Sequence, residues 1–581
     1  MGTKKIGYAT LKELAPYIDD EICKIFDKNV INIATRYESN PYSIIPFTNR
    51  NTGMPYVSFL EVDEHMDVED LKKKYFRFRL DAAIYHVLTV NEHHGSSWLP
   101  VDVFIDRLER LFKRTKHPLD RKIILTYVNH IANNPIKKDE KQKISIVDGR
   151  VARCSTMLAE LCVKGKLLHA INYENKYKNF KPIDETGLID EVQYNAAMKI
   201  MTSTGMVSML IGGPGTGKST VLKAIAKGIK AIYPKDNIVF LAPTGKAVKN
   251  IKDIFKRDNM EDIYLAAETI HKFLALDDKN VQHLSAKSKA KIENTNILII
   301  DETSMVPIEL LAKLLETVNL SLTKIIFVGD SHQLPAIGIG SLIDDFKTLG
   351  VVYAELTKNY RSNVTIYENA KTILQGKNNY IEDDSFKVIE IPEDKIYDEL
   401  LNVYHINDII LSPYKTDQKA GNIRILNDKI QTKRFNGEKT IKGRFNRGDE
   451  VILLKNNYEK NYYNGDTGIV IGVNGETDEY IVEKHDGDTV YVKDEDDIDL
   501  GYALTIHKSQ GSEYEEVDIV LPEFANFITR EMFYTAITRA KERVRIWTTS
   551  KDIIKKILLN PIQKRRSFLH MDEDTEEVFC L

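Results

Sequence analysis

Apolar positions change their spacing twice along the chain. Up to about residue 185 they recur three and four apart, as in FRLDAAIYHVLTV and VDVFIDRLERLFK. That is the stripe of a helix with one buried face, and it predicts a helical N-terminal domain over 1–185. From about residue 205 short aliphatic runs alternate with helical stretches: VSMLI, NIVFLA, NILIID, KIIFVG, then DIILS, VDIVL and RVRIW. Strands alternating with helices predict an α/β fold with parallel sheets covered on both faces. Between Asn446 and Asp499 the period falls to two, in EVILLK, GIVIGV, EYIVEK and TVYVK. The pairs Asn464-Gly465, Asn474-Gly475 and Asp486-Gly487 separate these segments and are favoured hairpin turns. They predict a small antiparallel barrel over 446–497, set into a second α/β region of 356–445 plus 498–565. The first α/β region is 186–355, and 566–581 is a C-terminal tail.

Composition narrows the function less than the pattern does. A chain of 581 residues is too long for one core. No apolar run approaches the ~18 residues of a membrane span. The opening MGTKKIGYATLKELAPYI lacks the apolar core of a signal peptide, and Ile6 does not suit myristoylation at Gly2. The four cysteines are scattered without a CxxC pair, which fits a reducing cytoplasm and speaks against zinc. A net charge of −4 means that any nucleic-acid binding rests on a local groove. The abundance of Lys, Asn, Ile and Tyr suggests an AT-rich genome, with a phage or Gram-positive source as the expectation.

Chemistry enters at IGGPGTGKST, residues 211–220. Gly212, Gly217, Lys218 and Ser219 have the GxxxxGK[ST] spacing, after a strand and before a helix, as a phosphate-binding loop requires. Gly212, Gly213, Pro214, Gly215, Thr216, Gly217 and Thr220 would wrap the phosphates of ATP, all but Pro214 offering a backbone N–H. Lys218 would reach the β- and γ-phosphates, and Ser219 would hold Mg2+. In NILIIDETSM the strand ends in two carboxylates with separate tasks. Asp301 would bind Mg2+ through its waters, and Glu302 would polarise the attacking water.

These segments occur in one order with LAPTGKA (241–247), ETIHKF (268–273), VGDSHQLPAIG (328–338), LTKNYRS (356–362), ALTIHKSQGSE (503–513) and YTAITRAKE (534–542). The series resembles that of superfamily 1 helicases, specifically the 1B branch containing RecD and Dda. LSPYKTDQKAGNIRILNDKIQ (411–431) is similar to the RecD pattern ahead of its inserted barrel. NPYSI (40–44) and HGSSWLPVDVF (94–104) weakly resemble the helical N-terminal region of longer RecD-like proteins. The resemblance implies two RecA-like motor lobes and an SH3-like insertion.

The resemblance also assigns roles. The polar run in ALTIHKSQGSE is unusual at the mouth of a buried strand, and in the family it touches DNA and ATP together. Thr505, His507 and Lys508 would lie along single-stranded DNA, while Gly511 and Glu513 would face the nucleotide. Arg361 and Arg539 match the arginine fingers, which meet charge that develops on the transferred phosphoryl group. Gln333 would sense the γ-phosphate, and Gln193 resembles the adenine-reading glutamine. Pro243, Thr244, Thr269, His271, Ser412, Tyr414 and Lys415 fall where the family contacts the strand. Hydroxyls and Lys suit sugar–phosphate contacts, and Tyr414 or Phe273 could stack on a base; each is as readily a core residue.

The expected function is an ATP-driven DNA helicase moving 5′-to-3′ on single-stranded DNA and acting at single-strand/duplex junctions as a monomer. Other readings are a translocase that strips proteins from DNA, an ATP-gated scaffold or recombination mediator, and an RNA motor. No carboxylate cluster with a lysine follows the second lobe, which disfavours a helicase–nuclease. Between Phe273 and Asn296 a short hairpin or loop over 275–288 is expected to present Val281, His283 or Leu284 to the terminal base pair. The tail ends in Val578-Phe579-Cys580-Leu581 after an acidic run. It could dock replication or recombination proteins, or be a solvated terminus.

Overall fold

The computed structural model describes residues 11–29, 32–47, 55–133, 144–185, 187, 189–277, 281–336, 338–360, 363–404, 408–415, 421–439, 441, 443–455, 457, 460, 462–485, 487–493 and 495–570. Among these residues no helix is long and apolar enough to cross a membrane.

The N-terminal part is mainly helical and also carries a sheet. Strands β1 (Trp98–Pro100), β2 (Ile144–Val147) and β3 (Arg150–Arg153) pair antiparallel in the order β1-β3-β2. Asp148-Gly149, both at positive φ, closes the β2–β3 hairpin with two residues. Strands of three and four residues give too short a period to stand out in the sequence. The helix Cys154–Asn172 then leaves this part and packs on the following lobe, where Val163, Leu167 and Ala170 join the core. In packing terms the boundary therefore falls near residue 153 rather than 185, because this helix buries its apolar face against its C-terminal neighbour.

The first lobe is a six-stranded parallel sheet of β4 (Val207–Gly212), β5 (Asn237–Ala242), β6 (Glu268–Thr269), β7 (Thr295–Ile300), β8 (Lys324–Gly329) and β9 (Val352–Leu356), in the order β6-β5-β7-β8-β4-β9. Alternate residues feed two cores: Val207, Met209 and Ile211 on one face, Leu210 on the other. Burial of each such side chain is worth about 1.5–3 kcal/mol.

The second lobe holds β10 (Phe386–Glu390), β11 (Ile409–Ser412), β17 (Ala503–Thr505), β18 (Tyr514–Leu521) and β19 (Ala540–Thr548), all parallel in the order β10-β19-β18-β11-β17. Between β11 and β17 the chain makes β12 (Glu450–Leu453), β13 (Thr467–Val473), β14 (Tyr480–Lys484), β15 (Thr489–Val492) and β16 (Ile498–Leu500). These form an antiparallel sheet in the order β15-β14-β13-β12-β16. Strand β16 pairs with β12, so residues 498–500 belong to the insertion rather than to the second lobe.

Two of the expected hairpin turns are longer loops. Asn464-Gly465 lies at the end of a long connection from β12 to β13. After Asn474 the chain turns at Asp478 (φ 57), while the Asn474 side chain accepts from the Glu476 and Thr477 N–H groups. An asparagine side chain can satisfy a turn's donors itself, so Asn-Gly alone did not set the loop length. Asp486 lies outside the described residues.

Candidate functional site

Strand β4 runs into a loop whose shape depends on glycine. Gly215 and Gly217 have φ of 76 and 82, and a Cβ on Gly212 would stand 2.5 Å from Thr216 Oγ1. The helix Lys218–Ile232 starts from that loop with its first N–H groups facing the cleft. Lys218 Nζ donates to the Gly212 and Gly213 carbonyls at 2.6 and 3.1 Å, and Ser219 is exposed on the first turn. Pro214 and Thr220 are half-buried, and Thr216 Oγ1 donates to the Gly213 carbonyl at 2.8 Å.

Gln193 reaches the same loop. It caps its own helix with Asp190, and its Nε2 lies 2.1 Å from where a Gly217 Cβ would be. Asp190 also bonds Tyr360 Oη and Lys358, and Tyr360 N–H donates to the Gly215 carbonyl at 2.8 Å. Hydrogen bonds from Tyr360 and from the Gln193 N–H hold the Asp190 carboxyl down to about 2. Tyr360, 43% exposed, thus stands at the loop's edge as a flat aromatic surface. Arg361 lies outside the described residues.

The carboxylates gather at the ends of β7 and β8. Asp301 N–H is anchored to the Leu241 carbonyl, and its Oδ1 accepts from Glu302 N–H at 2.8 Å. Glu302 has φ 50, rarely adopted by a residue with a Cβ and often a sign of functional strain. Burial raises the Asp301 carboxyl against the pull of Lys218. Burial, then Asp301, pushes Glu302 up to about 7, against Arg539 and Lys218. In the sheet, β8 lies between β7 and β4, so Asp330 at its end is nearer the phosphate loop's strand than Asp301. Burial pushes Asp330 up, but His332 and Lys218 outweigh it and leave it below its ordinary value.

The second lobe closes on this cluster. Tyr534 Oη donates to Asp330 Oδ2 at 3.1 Å. Arg539 is buried, its guanidinium donating to the Thr535 and Ser512 carbonyls at 3.0 and 3.1 Å. Gln333 is buried beside them, and its Oε1 has no hydrogen-bond partner among the described residues. A cavity of about 330 Å3 opens between the lobes beside Gly212, Gly213, Asp330, Tyr367 and Tyr534. Asp330, Tyr534 and Tyr360 lie within motifs quoted above but received no role from sequence. Their signal was present only as motif membership.

Whether the site suits a divalent cation turns on its donors. Among the described residues no group of three or more His, Cys, Asp or Glu side chains comes together to hold a metal. Ser219 follows Lys218 in the chain and Asp301 lies within electrostatic reach of Lys218, so a cation there would need phosphate oxygens and water for its remaining ligands. That is the manner in which Mg2+ is usually held. The residues fit.

The expected DNA-track threonines lie at or just past the ends of β5, β6 and β17, of which β6 and β17 are sheet edges. Thr244 follows β5, Thr269 ends β6 and Thr505 ends β17. Each threonine oxygen accepts from the N–H three residues on, capping the turn that follows. Each hydroxyl proton remains available to a phosphate. Pro243, His271, His507 and Lys508 are half-buried and Lys415 is exposed. Burial lowers the pKa of His271, His507 and Lys508 alike.

Other expected residues are placed elsewhere. Tyr414 is core: it is 1% exposed, and its hydroxyl donates to the Glu523 carbonyl at 2.9 Å. Ser412 is fully buried and its Oγ accepts from Tyr414 N–H, so neither side chain faces a groove. Phe273 is buried as well. The Gly511 carbonyl takes Asn250 Nδ2 from the first lobe, and Glu513 is exposed. That bond ties the β17–β18 turn to the helix Gly245–Arg257. In the expected projection, Leu276 bridges Gln282 and Asp277 N–H donates to the Val281 carbonyl, so the described flanks pair antiparallel. Val281 is 50% exposed and His283 is tied to Asp277. Leu284 packs against the first lobe's core and is not presented. Residues 278–280 and 571–581 lie outside the described residues.

Comparison with known proteins agrees with this layout. The AAA domain family matches residues 188–387, and the UvrD-like helicase C-terminal domain matches 500–547. The chain is 28% identical to the RecBCD enzyme subunit RecD of Mycolicibacterium smegmatis, over 61% of this chain and 70% of that one. It is 30% identical to the ATP-dependent RecD2 DNA helicase of Deinococcus radiodurans, over 58% of this chain and 46% of that one. An uncharacterised protein of Methanocaldococcus jannaschii is 25% identical across 93% of this chain, which covers 55% of that relative. The chain thus spans about half the length of two of these three relatives. With its motifs in order across two parallel-sheet lobes, the chain is similar to the RecD-type branch of the superfamily 1 helicases.

Proposed function

We propose that the chain is an ATP-dependent DNA helicase moving 5′-to-3′ along single-stranded DNA. The observation that carries this is the meeting of Lys218, Asp301, Glu302 and Asp330 of one lobe with Tyr534 and Arg539 of the other. Phosphoryl transfer leaves little for a protein to do except position groups and meet developing charge. Lys218 and the loop N–H groups would bind the triphosphate, with the base between Gln193 and the Tyr360 ring. Ser219 and Asp301 would hold Mg2+, which when bound would neutralise phosphate charge. Glu302, its pKa near neutrality, is suited to take a proton from the attacking water. Arg539, with Arg361, would stabilise the transition state once the lobes close.

Gln333 would report the γ-phosphate to the strand track, where Thr244, Thr269, Thr505, His507, Lys508 and Lys415 contact sugar and phosphate without reading sequence. The SH3-like insertion and the hairpin at 275–283 would flank the junction, and the protein would act as a cytoplasmic monomer. The test is strand separation of duplexes carrying a 5′ or a 3′ tail, with ATP and Mg2+. Unwinding of the 5′-tailed substrate alone is expected. Unwinding from the 3′ tail overturns the polarity. DNA-stimulated hydrolysis without unwinding favours a translocase.

A further inference from the structure

The loop after Gln333 is held from every side. Leu334 N–H donates to Thr535 Oγ1 at 3.1 Å, and the Leu334 carbonyl accepts from Gln510 Nε2 at 2.8 Å. Ala336 N–H donates to the Ser304 carbonyl at 2.6 Å. These contacts come from both lobes of the ATP site. Two further contacts come from outside it. Gly340 N–H donates to the Gly95 carbonyl of the N-terminal part at 3.0 Å. Arg565 Nη1 donates to the carbonyls of Ala336, Gly338 and Gly340 at 3.3, 3.1 and 2.6 Å.

Arg565 lies on a strap that leaves the second lobe and crosses back. The Arg566 carbonyl accepts from the Ser97 N–H and Oγ, and Arg566 N–H donates to Ser96 Oγ. Ser567 Oγ and Phe568 N–H donate to the Glu160 carboxylate, and His570 meets Asp345 at 2.8 Å. Gly95, at φ 89, leaves the notch the guanidinium occupies: a Cβ there would stand 2.1 Å from Arg565 Nε. The held segment contains Gly338 and Gly340 at φ 118 and 83. Glycine-rich backbone has little preference of its own, so its shape is set by what grips it. A guanidinium, with donors in a fixed fork, can fix several carbonyls at once.

We propose that Arg565 is a positioning residue: by clamping the carbonyls of Ala336, Gly338 and Gly340 it sets Gln333 against the lobe interface and makes coupling of hydrolysis to DNA depend on the strap and the N-terminal part. The inference rests on the ATPase reading above. The test is steady-state ATP hydrolysis by the full chain, with and without oligo-dT. Arg565→Ala lowers the DNA-stimulated kcat about tenfold while ATP KM and the DNA-free rate stay within about twofold, the size expected for a coupling residue. Arg565→Lys recovers part of the stimulation, because an ammonium still meets one or two carbonyls. Gly95→Ala reproduces the loss with Arg565 in place, which keeps the test decisive should Arg565→Ala fold poorly. Unchanged stimulation in Arg565→Ala or in Gly95→Ala overturns the proposal. So does an equal fall in DNA-free and stimulated rates. Wild-type protein without any DNA-stimulated hydrolysis overturns the ATPase reading itself, and this proposal with it.

Discussion

Tyr534 Oη donates to Asp330 Oδ2 at 3.1 Å, joining the two motor lobes through a buried phenol and a buried carboxylate beside the phosphate loop. The same hydroxyl lies 3.2 Å from where a Cβ on Gly213 would be. Any shift of the second lobe is therefore felt at the loop. Tyr534→Phe keeps the ring and removes the donor. It should cost about 1–3 kcal/mol of stability, the usual penalty for leaving a buried polar group unpaired. Thermal unfolding reads this directly; an unchanged midpoint would show that the bond is not made in solution.

Lys218→Ala should abolish ATP hydrolysis and unwinding. Nucleotide-free binding of oligo-dT should remain, since the track residues stand at or beyond the ends of β5, β6 and β17 rather than on the phosphate loop. Fluorescence anisotropy beside an ATPase assay checks both halves. Retained hydrolysis would point to another site.

Arg539→Ala should lower kcat on the order of 10³-fold while KM for ATP changes only a few-fold, because its charge is needed mainly in the transition state. Its bonds to the Thr535 and Ser512 carbonyls also brace the lobe, so the assay belongs below the variant's unfolding temperature. Collapse of affinity with unchanged turnover at saturation would contradict the assignment.

Replacing residues 277–283 by a Gly-Ser linker should preserve DNA-stimulated hydrolysis and single-strand translocation. Unwinding should fall sharply. Leu284 is kept because it packs on the first lobe. Unwinding at near wild-type rate would move the wedge to the insertion or the N-terminal part.

Docking of the strap on Glu160 should depend on pH. Burial pushes this carboxyl up to about 7 from an ordinary 4.5. The folded state thus holds the proton more tightly than the unfolded chain. The advantage is full below about pH 4.5 and is lost as pH rises to 7, by about 3 kcal/mol at 1.36 kcal/mol per pKa unit. Glu160→Gln should flatten that part of the stability–pH curve in chemical denaturation. An unaltered slope would assign it to other groups.

Much of this protein was legible in its residues. The seven aliphatic runs read as strands are β4, β5, β7, β8, β11, β18 and β19, all well covered, where period and burial agree. The strands passed over include β9 and β10 at sheet edges, where burial alternates and the apolar run is broken. The phosphate loop was readable because local chemistry sets it: glycines at 215 and 217 for positive φ, then a helix. Which aromatic faces a groove was not, since Tyr414 and Tyr360 differ only in what packs over them. Nor could spacing show that Arg565, 229 residues from Ala336, closes on the loop after Gln333. Local bonding propensities are written in neighbouring residues. The pairing of a glycine notch at residue 95 with a distant guanidinium exists only once three parts of the chain have packed together.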